Sequence, residues 1–196
     1  MEPFLRGQTA VITGGTQGIG WALTQALAAH GAQVYACGYS ADNLERAENE
    51  RQSLPWREQI SLARCDVTDR GQYVGWLEEV YGGNGRLDIL IHNAAYVQWD
   101  DVLDMSIEQA QHIMRVGYDG LVTGVRTALP WMLAAGQGHI IAVGSITARI
   151  LVRGSSAAYT ATKAAIDAYT VTLQMELAHT PVRATLVRLG TVAGTD

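Results

Sequence analysis

The sequence predicts an α/β protein: a doubly wound, mostly parallel sheet with helices on both faces, in three α/β/α layers. Three observations predict it. Short apolar runs bounded by turn residues alternate with segments of helical period from one end of the chain to the other. The runs are mainly apolar and separated by helices, so strands made from them must be parallel and covered on both faces by crossover connections. The first run leads through a glycine-rich turn straight into a helix.

Thr9–Thr13 (TAVIT) reads as the first strand and Gly18–His30 as the helix behind the glycine turn, with Gly31 as punctuation before a second strand, Gln33–Cys37. Asp42–Ser53 is polar and helix-forming, and Ile60–Cys65 is a third strand. Asp69–Tyr81 is a helix carrying Val74, Leu77 and Val80 inward, closed by a loop at Gly82–Gly85. Leu87–Ile91 (LDILI) is the fourth strand. A long helix follows from an N-cap at Ser106 to Ala135, with Pro130 expected to kink or break it. His139–Val143 is the fifth strand, Ala157–His179 an alanine-rich helix and Val182–Arg188 the sixth strand. No repeat, low-complexity tract or internal boundary interrupts this alternation, so residues 1–196 read as one domain.

Composition narrows the function. With 48% hydrophobic and 17% charged residues the chain is globular rather than disordered. A net charge of −5 without clustered Lys or Arg argues against a nucleic-acid binder. No apolar run approaches the ~18 residues of a membrane span, and no signal peptide precedes the first strand. Cys37 and Cys65, without CxxC spacing, suit a reducing, cytoplasmic compartment. His30, His92, His112, His139 and His179 are scattered, so no metal site is expected. Asp100, Asp101, Asp104 and Glu108 read as a solvated acidic rim at a helix start. Of 14 cationic residues, 13 are arginine and only Lys163 is lysine.

The turn Thr13-Gly14-Gly15-Thr16-Gln17-Gly18-Ile19-Gly20 carries the first chemical signal. Glycines permit positive φ and close backbone approach, and a helix N-terminus offers unpaired N–H groups to a pyrophosphate. The spacing is G-x-x-x-G-x-G, not G-x-G-x-x-G. Further along, Tyr159 and Lys163 stand at i and i+4 on one helix face, and Ser145 closes the fifth strand. A phenol of ordinary pKa near 10 is a poor acid/base at neutral pH, and a nearby cation favours its ionised form. A hydroxyl can steady a developing oxyanion. Taken singly, such a Tyr–Lys pair is a surface contact and such a Ser a turn or cap.

In order and in place, these motifs resemble the short-chain dehydrogenase/reductase family over essentially the whole chain. The resemblance implies a Rossmann-like sheet binding NADP(H) or NAD(H) through Gly14, Thr16, Gln17, Gly18, Ile19 and Gly20. Cys65-Asp66-Val67 matches the family's Asp-Val pair, which places Asp66 and Val67 at the adenine. His92-Asn93-Ala94-Ala95 resembles N-N-A-G, with Asn93 pinning neighbouring strands and Ala94 and Ala95 lining the cofactor site. At the end of the second strand, Gly38 stands where NAD-preferring relatives carry Asp, and Tyr39 where NADP-preferring ones often carry Arg. The excluding carboxylate is absent, Tyr39 can stack on the adenine, and Ser40 and Arg46 can reach a phosphate, so NADP is the preferred cofactor and NAD the alternative.

The resemblance also implies the reaction: hydride transfer between the nicotinamide and a carbonyl or secondary alcohol. Tyr159 is then the acid/base, Ser145 holds the substrate oxygen, and Lys163 tunes Tyr159 and holds the nicotinamide ribose. Departures favour a second reading, a catalytically weak cofactor-binding or regulatory protein of the same fold. Gly117 replaces the Asn of V-N-x-x-G, whose carbonyl holds a relay water, and Leu189-Gly190 replaces P-G, ahead of Val192 at the carboxamide position. Relatives continue beyond Asp196 through a substrate-covering loop, a helix and a seventh strand, so the resemblance implies a missing C-terminal end. Trp99, Trp131 and Met132 read as core or subunit contacts, and the resemblance implies a homodimer or homotetramer packed through the long central helix and the Tyr-bearing helix.

Overall fold

The computed structural model describes residues 3–151, 156–190 and 192. Six strands, β1 (Thr9–Thr13), β2 (Gln33–Gly38), β3 (Ile60–Arg64), β4 (Ile89–His92), β5 (Gly138–Ser145) and β6 (Val182–Leu189), form one sheet in the order β3-β2-β1-β4-β5-β6. Every pairing is parallel. The alternation of apolar strands and helices therefore resolves into the doubly wound architecture that it predicts. Helices α1 (Gly18–Ala29), α2 (Ala41–Arg51), α3 (Arg70–Asn84), α4 (Ile107–Met114), α5 (Gly120–Ala135) and α6 (Ala157–Glu176) make the crossovers. None of the described helices is long and apolar enough to cross a membrane.

Strand periodicity divides the core in two. Val11 and Leu90 join Tyr73, Leu77, Leu121, Ile140 and Ile166 on one face. Their neighbours Ala10, Ile12, Ile89 and Ile91 join Trp21, Ala28, Val34 and Ala36 on the other. Since successive strand residues point to opposite faces, the apolar centres of β1 and β4 are what two covered faces require.

Three expectations change. The long helix from Ser106 is interrupted not at Pro130 but at Arg115–Asp119, a π-helical turn between α4 and α5. Pro130 sits inside α5, where it and Arg126, four residues earlier, are both exposed, so water meets the carbonyl that loses its partner. The Gly82–Gly85 loop is instead the end of α3: Gly82 and Gly83 face solvent, Asn84 Nδ2 donates to the Val80 carbonyl at 2.7 Å, and only Gly85, at φ 65°, leaves the helix. Tyr73, fully buried, takes the inward place expected of Val74, which is half-buried.

Candidate active site

Strands β1 and β4 lie side by side, but their connections leave the sheet in opposite directions. The crevice at their carboxyl ends is the topological switch point where doubly wound sheets take ligands. From β1 the chain enters the glycine turn, with Gly14 at φ 62° and Gly18 at φ 50°, conformations that other residues rarely hold. A side chain on Gly20 would place its Cβ 1.9 Å from the Gly14 carbonyl, so helix and turn meet backbone to backbone. Gln17, the N-cap of α1, makes no capping bond with its side chain, leaving first-turn amides for a ligand.

From β4, Asn93 Nδ2 donates to the Gly14 carbonyl at 2.9 Å, while the amides of Asn93 and Ala94 both donate to Thr13 Oγ1 at 3.2 Å. Asn93 thus pins the turn itself. A cavity of about 210 Å³ opens beside it, lined by Gly14, Thr16, Gln17, Tyr39, Ser40 and Asp66, among others. Val67, Ala94 and Ala95 complete the predicted part of its wall. Of the other predicted cofactor contacts, Gly18, Ile19, Gly20, Asn93, Tyr159, Lys163 and Val192 do not line it. Asp66 Oδ1 accepts from the Thr68 amide and hydroxyl at 2.8 and 2.7 Å, which orients the carboxylate.

At the tip of β2 the Arg64 guanidinium lies 5.8 Å from the centre of the exposed Tyr39 ring and donates to the Tyr39 carbonyl. Ser40 caps α2, accepting from the Asn43 amide at 3.3 Å, and Arg46 donates to Asn43 Oδ1. Gly38 is forced: a Cβ there would stand 2.1 Å from Thr16 Oγ1.

The second cluster lies at the ends of β5 and α6. Ser145 is 9% exposed, and its Oγ accepts from the Thr147 amide at 3.2 Å and the Thr147 hydroxyl at 2.9 Å. With both lone pairs engaged, its own hydrogen is what it has left to give. Tyr159, half-buried in the first turn of α6, faces the Trp99 ring at 5.2 Å between centroids. Lys163, 4% exposed, donates to the Val143 carbonyl at 2.9 Å, with its ammonium 5.6 Å from the centre of the Tyr159 ring. Burial raises the Tyr159 phenol above its ordinary value and Ser145 pulls the other way, so the phenol is protonated at neutral pH rather than pre-ionised by the lysine.

Burial alone lowers Lys163 to about 8. As the chain contains one lysine, protein labelled with ¹³Cε-lysine gives one resonance. We expect it to titrate near pH 8, and a midpoint at the ordinary value of about 10.4 would refute this desolvated ammonium. The sign follows: between the folded value near 8 and the unfolded value near 10.5 the unfolded chain binds more protons, so burying Lys163 costs most below pH 8 and less as pH rises.

Comparison with known proteins fits this geometry. A sequence profile described as short chain dehydrogenase matches residues 8–196. The chain belongs to the short-chain dehydrogenase family. A tropinone reductase homolog of Datura stramonium is 33% identical over 187 residues, 93% of this chain and 68% of that protein. An uncharacterized oxidoreductase of Staphylococcus aureus is 31% identical, over 96% of this chain and 79% of its own length. Among solved structures, a metagenomic short-chain oxidoreductase in complex with NADP superposes with a TM-score of 0.86 at 29% identity, covering 96% of this chain and 85% of its own.

Within the short-chain dehydrogenase frame, several contributors escape sequence reasoning. His112 and Val116 line the cavity from the α4 side, and Thr147 holds Ser145. Helical period places such residues on a face but does not say which cavity that face meets. Gly117 lies in the π-helical turn, where a Cβ would stand 2.6 Å from Thr162 Cγ2 on α6. The chain thus has a π-helical turn here without an Asn. Val192, half-exposed, lies just past β6, and residues 195–196, where the sequence stops, lie outside the described residues.

Proposed function

We propose that this short-chain dehydrogenase is an NADP(H)-dependent oxidoreductase that interconverts a carbonyl compound and a secondary alcohol, with Ser145, Tyr159 and Lys163 as its catalytic residues. One observation carries the reading: a hydroxyl with only its proton left to offer, a protonated phenol and a buried ammonium gather at the carboxyl end of β5, two strands along the sheet from the glycine turn that leads off β1. The glycine turn suits a dinucleotide because Gly14 and Gly18 hold positive φ and the first turn of α1 has no side-chain cap on its amides. When bound, the nicotinamide supplies or removes hydride.

The chain's own residues handle the proton. In reduction, Tyr159 donates its phenolic proton to the substrate oxygen as negative charge grows there. Ser145 donates a hydrogen bond to the same oxygen, a contribution on the order of 10²–10³ in rate where such donors are preorganised. Lys163 keeps its positive charge beside the phenolate left behind, and the burial that lowers its pKa strengthens that attraction. In oxidation the same groups run in reverse.

The preference for NADP over NAD is supported by the missing acidic side chain at Gly38, which Thr16 enforces, and by Arg64 and Arg46 near Tyr39 and Ser40. The NADP complex of the metagenomic relative points the same way. The test is NADPH consumption, followed at the nicotinamide absorbance band over a panel of ketones and aldehydes, with NADP and NAD competing in a binding titration. We expect turnover of at least one carbonyl and tighter NADP binding. No turnover across the panel would favour the regulatory reading, and tighter NAD binding would reverse the cofactor assignment.

A further inference from the structure

We propose that His92 is a positioning residue: its uncharged imidazole is a strut that sets the spacing between the glycine-rich turn and the helix bearing Tyr159 and Lys163. The catalytic part of this proposal rests on the reading of those two residues given above.

The hydrogen bonds identify the tautomer. Thr13 Oγ1 accepts from the amides of Asn93 and Ala94, which occupies its lone pairs, so its proton points to His92 Nδ1, 3.2 Å away. Nδ1 must therefore be the bare nitrogen. Nε2 then carries the ring's hydrogen and donates it to the Gly117 carbonyl at 2.8 Å. Both ring nitrogens are satisfied only while the ring is neutral. Burial lowers its pKa to about 4, and the charge of Lys163 acts in the same direction.

The ring joins parts of the site that are far apart in sequence. On one side, Thr13 holds the start of the segment whose Asn93 pins Gly14. On the other, the Gly117 carbonyl belongs to the π-helical turn, whose Cα packs so closely on Thr162 that no side chain fits between. Thr162 immediately precedes Lys163. Gly120, where a Cβ would lie 3.0 Å from His92 Cε1, leaves the ring its space. The path from turn to catalytic helix is thus Thr13, His92, Gly117, Thr162, all four buried. A shorter or apolar side chain at position 92 frees the Gly117 carbonyl and lets α6 drift relative to the cofactor turn.

The experiment uses the intact chain in two measurements. In ¹⁵N-histidine-labelled protein, His92 is expected to show the neutral Nε2–H tautomer, unchanged from pH 5 to 8. An Nδ1–H pattern, or a titration near the ordinary value of about 6.5, overturns the strut. In His92→Leu we expect kcat to fall roughly 100-fold, the loss that a displacement of about 1 Å brings, while cofactor affinity stays within about threefold. The Lys163 resonance should then move up from about 8 as the loosened site hydrates. His92→Gln, whose amide can still donate to Gly117, should recover kcat to within about fivefold of the parent. Unchanged kcat in His92→Leu overturns the proposal. So does a folded His92→Gln with no recovery, which also decides the matter if the leucine variant does not fold. A parent protein without carbonyl reduction overturns the functional reading instead, and the histidine spectrum then decides the strut alone.

Discussion

Replacing Tyr159 with Phe is expected to lower kcat by about three orders of magnitude, within the 10²–10⁴ range that positioned acid–base groups contribute. The change removes one oxygen and little else. The ring keeps its place against Trp99 and its half-buried position at the start of α6, and none of the cavity-lining residues is lost. Cofactor affinity should therefore stay within about twofold, so the loss falls on kcat rather than on binding. Steady-state kinetics with a competent ketone, paired with a fluorescence titration of NADPH, separates the two. A variant retaining more than about a tenth of the parent rate would mean that another group supplies the proton. Burial holds the phenol above its ordinary value, so the proposed proton donor needs no prior ionisation in the reductive direction.

The largest expected effect on stability lies one helical turn beyond Lys163. Asp167, with a side chain 4% exposed, receives Arg149 at 2.8 Å and Arg188 at 2.6 Å. One carboxylate on α6 therefore ties down both the segment that follows Ser145 and strand β6. Asp167→Ala leaves two guanidinium groups facing each other with no anion between them. Removing one member of a buried ion cluster costs roughly 3–5 kcal/mol. The exposure of Arg149 and Arg188 softens this, so we expect about 3 kcal/mol and a drop in melting temperature of about 6–12 °C. The pH dependence has a definite sign. The two arginines hold the Asp167 carboxyl far below the ordinary carboxylate value, so its contribution is complete above about pH 4 and drains as pH falls through the native-state value. Denaturation at pH 7 and pH 3 should show a smaller gap between parent and variant at the lower pH. An equal gap would mean that packing, not charge, accounts for the loss.

Much of this was legible from sequence because the signals were local. An apolar run between turn residues has few ways to fold, and all six strands lie within two residues of the predicted ends. The glycine turn and the Tyr159–Lys163 spacing were equally plain. What escaped depends on neighbours distant in the chain. At the π-helical turn Arg115–Asp119 the bare Gly117 lets α6 approach, a contact that no helical period records. Pro130 looked like a breaker since its effect hinges on which face carries the orphaned carbonyl. Gly82 and Gly83 resembled a loop, although Asn84 carries the helix past them. His92 is the sharpest case. As a substitution in N-N-A-G it read as a departure, yet it makes two buried hydrogen bonds, one of them to the Gly117 carbonyl that had looked like a separate defect.

The contact between Thr16 and the α-carbon of Gly38 bears on how this chain can change over generations. A single substitution that put a carboxylate at position 38 would collide with Thr16 before it met any ribose. Thr16 must shift or shrink to make room, and shrinking it removes a buried side chain from the cofactor cradle without adding a new contact. The route to an acidic residue at this strand end therefore begins with a loss imposed by packing.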